Sequence, residues 1–112
     1  LLEYWKQCSI TGYSKLVLLK ASHIKPWSVS DDFERLDVYN GLLLTPNLDT
    51  CFDKGLISFK DNGQILISQE LNENDLNILG LKRTYKLKTA PAHFKYLKYH
   101  REFVFEKWKK EQ

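Results

Sequence analysis

A chain of 112 residues that is 43% hydrophobic and 28% charged carries enough apolar content for one core and excludes a disordered tail. No apolar run approaches the roughly 20 residues that cross a membrane as a helix, so no membrane association is expected. The net charge of +3 is uneven: residues 1–81 hold 7 Lys and Arg against 11 Asp and Glu, and residues 82–112 hold 10 against 3. A basic C-terminal third beside an acidic body suits a protein that neutralises phosphates with one face and holds a cation with another.

The N-terminal Leu-Leu-Glu-Tyr-Trp has neither the basic nor the apolar region of a secretory signal, and the sequence contains no Met. The expectation is a piece of a longer cytoplasmic chain in which Cys8 and Cys51 are reduced thiols. Leu1, Leu2, Trp5 and Cys8 recur at helical spacing and read as the end of an amphipathic helix broken at Gly12. Residues 16–20 form an apolar run compatible with a buried strand, leading into Ala21-Ser22-His23-Ile24-Lys25-Pro26-Trp27, where Pro26 ends any regular element. Residues 28–39 set Asp31, Asp32, Glu34 and Asp37 around Arg35 and read as a loop with room for one helical turn.

Gly41–Leu44 reads as a second short strand. Thr45 as N-cap and Pro46 at the first helical position then start a helix that carries Leu48, Asp49, Phe52 and Asp53 and stops at Gly55. Leu56–Asp61 and Gln64–Ser68, joined by Asn62-Gly63, form a hairpin. Residues 72–79 read as a short helix with Asn72 or Asn74 near its cap, and residues 81–88 are compatible with a strand. Pro91 precedes a long helix to about residue 110, with Phe94, Leu97, Arg101, Val104 and Trp108 on one stripe. Beside that stripe His100 reads as a satisfied, partly buried ring, while His93 reads as exposed near a helix start. Trp5, Trp27 and Trp108 read as core, and Cys51 as an inert buried thiol.

The middle of the chain thus runs strand, His-containing loop, strand, then a helix whose first turns carry Asp49 and Asp53 on one face. A carboxylate there can hold a hard divalent cation with water in the remaining positions, and a His at the end of the first strand can act as general base toward a water. The ordered set Ser22-His23-Ile24-Lys25-Pro26-Trp27, Tyr39-Asn40-Gly41-Leu42 and Phe52-Asp53-Lys54-Gly55-Leu56 resembles the HNH endonuclease family, with Cys8-Ser9-Ile10-Thr11-Gly12 similar to the opening of the same domain. The resemblance spans roughly residues 8–68.

The resemblance implies an α+β fold: a ββα-metal core at about 8–68, an added β-hairpin, and a helical extension at about 70–112, all one nuclease domain over residues 1–112. It implies cleavage of phosphodiester bonds in DNA, double-stranded by expectation, in a restriction or phage-defence setting, with a homodimer as one way to cut both strands. By position His23 matches the general base and Asn40 the residue that orients the base's loop. Asp49 stands where the family usually has its last His, as metal ligand, with Asp53 and Ser22 as further ligands. An Asp there points to Mg²⁺ or Mn²⁺. Where relatives carry a zinc knuckle, this chain has Cys8/Thr11 and Thr45/Leu48, so no structural zinc is expected. Lys25, Arg35, Lys54 and Arg101 are the candidate phosphate contacts. The alternative is a degenerate HNH-fold module that binds nucleic acid without cutting it.

Overall fold

The computed structural model describes residues 1–111. At its centre lies an antiparallel pair, β1 (Lys20–His23) and β2 (Gly41–Leu44), in a register that sets His23 opposite Gly41 and Lys20 opposite Leu44. The helix that follows, α3 (Pro46–Asp53), opens on Pro46 as expected and buries Leu48, Cys51 and Phe52 against the strands. Thr45 occupies the N-cap position, but its hydroxyl makes no capping bond. Before these elements comes α1 (Leu2–Trp5), and between the two strands α2 (Asp32–Leu36). A second pair, β3 (Ile57–Phe59) and β4 (Ile65–Ile67), is the expected hairpin about Asn62-Gly63. Then follow α4 (Glu73–Leu79), capped by Asn72, and α5 (Phe94–Tyr99), a five-residue π-helical stretch (His100–Val104), and α6 (Lys107–Lys110). The architecture is α+β, with mixed short helices and two small antiparallel sheets.

One core joins these elements. Leu42, Leu43 and Leu44 of β2, Phe52 of α3, Ile57 and Phe59 of β3, and Tyr96 and Leu97 of α5 are all buried in it. Cys8 and Cys51 are free, buried thiols. Among the described residues no helix is long and apolar enough to cross a membrane.

Several sequence-based expectations need correction. The first strand is not at residues 16–20: Leu16–Leu18 form a short 3₁₀ turn with exposed side chains, and pairing starts at Lys20. The reason is the partner, because beyond Leu44 the opposite chain turns into α3 at Pro46, which has no N–H to offer a longer ladder. The N-terminal helix ends at Lys6, not Gly12, since Ser9 is drawn onto β2 by its backbone N–H to the Leu43 carbonyl (2.7 Å) and by its hydroxyl, which accepts from the Leu43 N–H (3.0 Å). Residues 81–88 form no strand but one bridge, Lys86 to Gln64, with a turn at Lys82–Tyr85.

The C-terminal helix is broken rather than continuous. Glu106 adopts a left-handed conformation (φ 52°) and its N–H donates to the Gly55 carbonyl at 2.9 Å, so docking onto the Gly55 turn interrupts the helix. His93 is buried, not exposed: its ring stacks on Trp5 (5.7 Å, 24°) and meets Tyr4 and Tyr39 edge-on, while its Nδ1 accepts from the Ala90 N–H (2.9 Å). Burial holds its pKa below the ordinary imidazole value, against the raising effects of the Ala90 bond and Asp37. Trp27, read as core, is instead 54% exposed.

Gly55 sits at φ 76°, and a Cβ there would collide with the Val104 carbonyl oxygen; Gly80 has a similar φ of 72° but open space around it. Gly55→Ala is therefore expected to destabilise by several kcal/mol and Gly80→Ala by only about 1 kcal/mol, read by urea denaturation. Equal losses would contradict the tight contact between the Gly55 turn and the C-terminal segment.

Candidate active site

The site is built around a loop whose ends are tied together by one side chain. Asn40, 0% exposed, closes the short 3₁₀ turn that feeds β2. Its Oδ1 accepts the Lys25 N–H at 2.8 Å, and its Nδ2 donates to the Glu34 carbonyl at 3.0 Å. Its own carbonyl accepts the Ile24 N–H at 3.1 Å. The loop from Lys25 to Arg35 is thus anchored at both ends by a single carboxamide, which uses its donor and acceptor in the way a buried amide must. Further ties reinforce it. Lys25 pairs with Glu34 at 2.9 Å, the Ser30 hydroxyl donates to the carbonyls of Lys25 (3.2 Å) and Pro26 (3.0 Å), and Asp31 and Glu34 form a capping box on α2. Those bonds hold the Glu34 carboxyl below its ordinary range, the backbone bond from Asp31 first and the Lys25 ammonium second.

His23 ends β1 on the open side of this loop. Its Nε2 lies 3.2 Å from the carbonyl oxygen of Arg35, the residue after the carbonyl that Asn40 holds. A carbonyl can only accept, so this contact places the proton on Nε2 and leaves Nδ1 with the lone pair, the state a general base needs. Trp27 packs edge-on against the His23 ring (5.4 Å) and carries the Arg35 guanidinium over its own face at 4.6 Å.

Ser22, His23, Asp49 and Asp53 line one cleft of about 380 Å³, with Trp27 at its mouth and His100 and Val104 in its wall. The structure thus brings together the expected base and the three expected ligands. Asp49 is half-buried and its carboxyl is pushed above the ordinary range, first by burial and then by Asp53; the Ser22 hydroxyl and Lys20 oppose this. Among the described residues neither carboxylate is ion-paired, and no three of His, Cys, Asp and Glu converge as a complete metal-ligand set. Two carboxylates and a hydroxyl facing one cleft form an all-oxygen donor set, which fits a hard divalent cation that keeps several waters.

The four basic candidates separate. Lys25 is committed to Glu34, and Arg35 to the Trp27 carbonyl (3.1 Å), the Trp27 ring and, loosely, Asp32. Arg101 braces the hairpin instead of facing the cleft, donating to the Phe59 carbonyl (2.8 Å) and pairing with Asp61 (3.0 Å). Lys54 is exposed, beside Asp53. Sequence reasoning missed Trp27 and the wall from the C-terminal segment. His100 is there a positioning group: it lies flat on Phe52 (3.7 Å, 1°), with Ser58 Oγ 2.7 Å from its Nδ1 and the Phe52 carbonyl 2.9 Å from its Nε2. Burial lowers its pKa to about 4, so it stays neutral there at physiological pH.

The raised Asp49 carboxyl makes a stability prediction with a definite sign. The native state binds this proton more tightly than the unfolded chain, so ionising Asp49 costs stability as pH rises above its ordinary value of 3.8. Asp49→Asn should therefore unfold at a higher temperature than the parent at pH 7 in EDTA, with the gap closing toward pH 4. A lower melting temperature at pH 7 would contradict the strained carboxylate.

Comparison with known proteins agrees with this geometry. Residues 8–60 match the model of the HNH endonuclease family. The solved structure of a modification-dependent TagI restriction endonuclease superposes with a TM-score of 0.58 at 20% identity, covering 92% of this chain and 35% of that one. The chain therefore spans about a third of that neighbour's length, and the likeness is one of fold. No curated protein matches. The β1–loop–β2–α3 unit, the family match over it and the shared fold agree: residues 8–60 are similar to the core of the HNH endonuclease family.

Proposed function

We propose that residues 1–112 form one nuclease domain that hydrolyses phosphodiester bonds in double-stranded DNA, with His23 as general base and a divalent cation held by Asp49, Asp53 and Ser22. The observation that carries this reading is the His23–Arg35 carbonyl contact, anchored through Asn40, which orients a His23 ring that itself lines the same cleft as the carboxylate pair. A module that only bound nucleic acid would need neither an oriented imidazole nor two adjacent unpaired carboxylates. The family match supports a nuclease. A restriction role follows the named activity of the structural neighbour, and a homodimer is one way to place two such clefts on a duplex.

In this mechanism His23 accepts a proton from water on Nδ1 while its Nε2–H stays on the Arg35 carbonyl, so the ring does not turn as it becomes charged. The water oxygen bonds to phosphorus, the bond from phosphorus to the 3′ oxygen breaks, and that oxygen takes a proton from solvent. Asn40 does not touch substrate; by holding the Glu34 carbonyl it fixes the next one, that of Arg35, which orients the base. The two carboxylates and the Ser22 hydroxyl would hold Mg²⁺ or Mn²⁺, which would supply Lewis-acid stabilisation of the charge that develops at the phosphate. Lys54, next to Asp53, grips a flanking phosphate; Lys25, Arg35 and Arg101 add positive potential from their paired positions.

Plasmid nicking tests the proposal. Cleavage should require Mg²⁺ or Mn²⁺, stop in EDTA, and fall about 100-fold or more in His23→Ala and in Asp49→Ala, the usual scale for a lost base or ligand. Cleavage by His23→Ala within tenfold of the parent would sink the general-base assignment, and undiminished cleavage in EDTA would sink the metal site.

A further inference from the structure

The active cleft does not end at Asp53. It runs into a second groove of about 430 Å³, with which it shares Pro26, Asp53 and Val104. Lys54 and Lys107 line this groove from two different elements, and Tyr99 and Phe103 form its aromatic side. Resting on the nuclease reading of the His23 cleft, we infer that this groove is a substrate subsite for an unpaired nucleotide next to the scissile phosphate, its phosphate on Lys54 and Lys107 and its base on Phe103.

Charge sorting is the first argument. Lys54 and Lys107 are exposed and, like several other lysines among the described residues, have no ion-pair partner, but these two line a groove that opens off the cleft, whereas Lys25 and Arg35 of the His23 loop and Arg101 of the C-terminal segment are paired. The ammonium groups of Lys54 and Lys107 lie past the end of a cleft that carries Asp49 and Asp53. A polyanionic strand crossing both would set one phosphate at the carboxylates, where a cation is needed, and its neighbour at the lysines, where none is. Asp53 stands at the junction and belongs with the cation.

The aromatic side supplies the second argument. Phe103 is 59% exposed, although Phe52 and Phe59 of the same chain are fully buried. Tyr99 lies against it with ring centroids 4.7 Å apart, and the Lys25 ammonium sits 5.2 Å from the Tyr99 centroid. Tyr99 is thus held from the His23 loop, and Phe103 is left as the open face. The His100 ring, anchored on Phe52 and Ser58, fixes the π-helical stretch that carries Phe103. An aromatic face beside two cations binds single-stranded nucleic acid by stacking plus phosphate neutralisation, without reading sequence. Within a duplex the base faces are covered by their neighbours, so the ligand is an unpaired nucleotide rather than a base pair. The preferred substrate is then DNA opened, frayed or distorted beside the cut.

Fluorescence anisotropy with labelled oligo(dT), oligo(dA) and a duplex of equal length, in EDTA, tests this without any bond being cut. Single strands should bind more tightly than the duplex. Phe103→Leu, which keeps bulk but removes the π face, should weaken both single strands about tenfold, within the range of one lost stacking contact, at an unchanged melting temperature. Lys54→Gln and Lys107→Gln should each reduce the slope of log affinity against log salt by about 0.7. Unchanged affinity in Phe103→Leu, unchanged slopes in both lysine variants, tighter binding of the duplex, or no binding of single strands by the parent chain would each overturn the subsite. The two readings fail separately: a chain that binds oligonucleotides as described but never nicks plasmid overturns the nuclease reading alone, and one that nicks with Phe103→Leu silent overturns the subsite alone.

Discussion

The buried carboxamide of Asn40 ties Lys25 to Glu34 across the loop that follows β1, and the site depends on that tie. A ten-residue excursion with exposed Trp27, Val29 and Phe33 has little apolar burial of its own to hold one shape. What gives it one is a set of hydrogen bonds that meet at Asn40, supported by the Lys25–Glu34 pair and the Ser30 hydroxyl. The next carbonyl after the one Asn40 holds is the acceptor for His23. Removing the carboxamide leaves a partly buried N–H and a partly buried carbonyl unmet, each a loss of up to about 1–3 kcal/mol, and frees the group that sets the tautomer of the His23 ring.

A second constraint comes from the C-terminal segment. The Gly55 turn ends α3 just past Asp53, and the Glu106 N–H and the Val104 carbonyl close down on it. The Glu106 side chain is fixed in turn by the Ser68 hydroxyl and Lys109, both at 2.9 Å. This contact breaks the last helix, brings His100 and Val104 into the cleft wall, and carries Lys107 to the side of Lys54. The carboxylate end of α3 is therefore pinned from outside the ββα unit. That suits a site in which Asp49 and Asp53 repel one another and burial works against ionisation: the fold holds two like charges in one cleft, a repulsion that a bound cation would relieve.

Much of the site could be read from the chain because its elements are short and sharply punctuated. Pro26 closes the His23 segment, the Asn40-Gly41 pair opens β2, Thr45-Pro46 starts α3 and Gly55 ends it, so His23, Asn40, Asp49 and Asp53 could be placed by local rules. What was not legible depends on partners far away in sequence. The apolar run at 16–20 has strand composition, but strand length is set by where β2 stops at Leu44. Nothing in Phe105-Glu106 signals a helix break; the Gly55 carbonyl makes it. His93 looks like a surface residue at a helix start, yet Tyr4, Trp5 and Tyr39 enclose it. Trp27 looks like core, yet it serves as the outer rest for His23 and Arg35. The acceptor for His23 is a main-chain oxygen, which no pattern of side chains encodes.

The protonation state of the His23 ring tests this account most directly. Nitrogen NMR of the metal-free protein at neutral pH should find the neutral ring as the Nε2–H tautomer with Nδ1 unprotonated. In Asn40→Ala the same ring should shift toward a mixture of the two tautomers as the Arg35 carbonyl loses its support. An Nδ1–H tautomer in the parent protein, or an identical tautomer ratio with and without the Asn40 carboxamide, would contradict the claim that the buried amide orients the His23 ring.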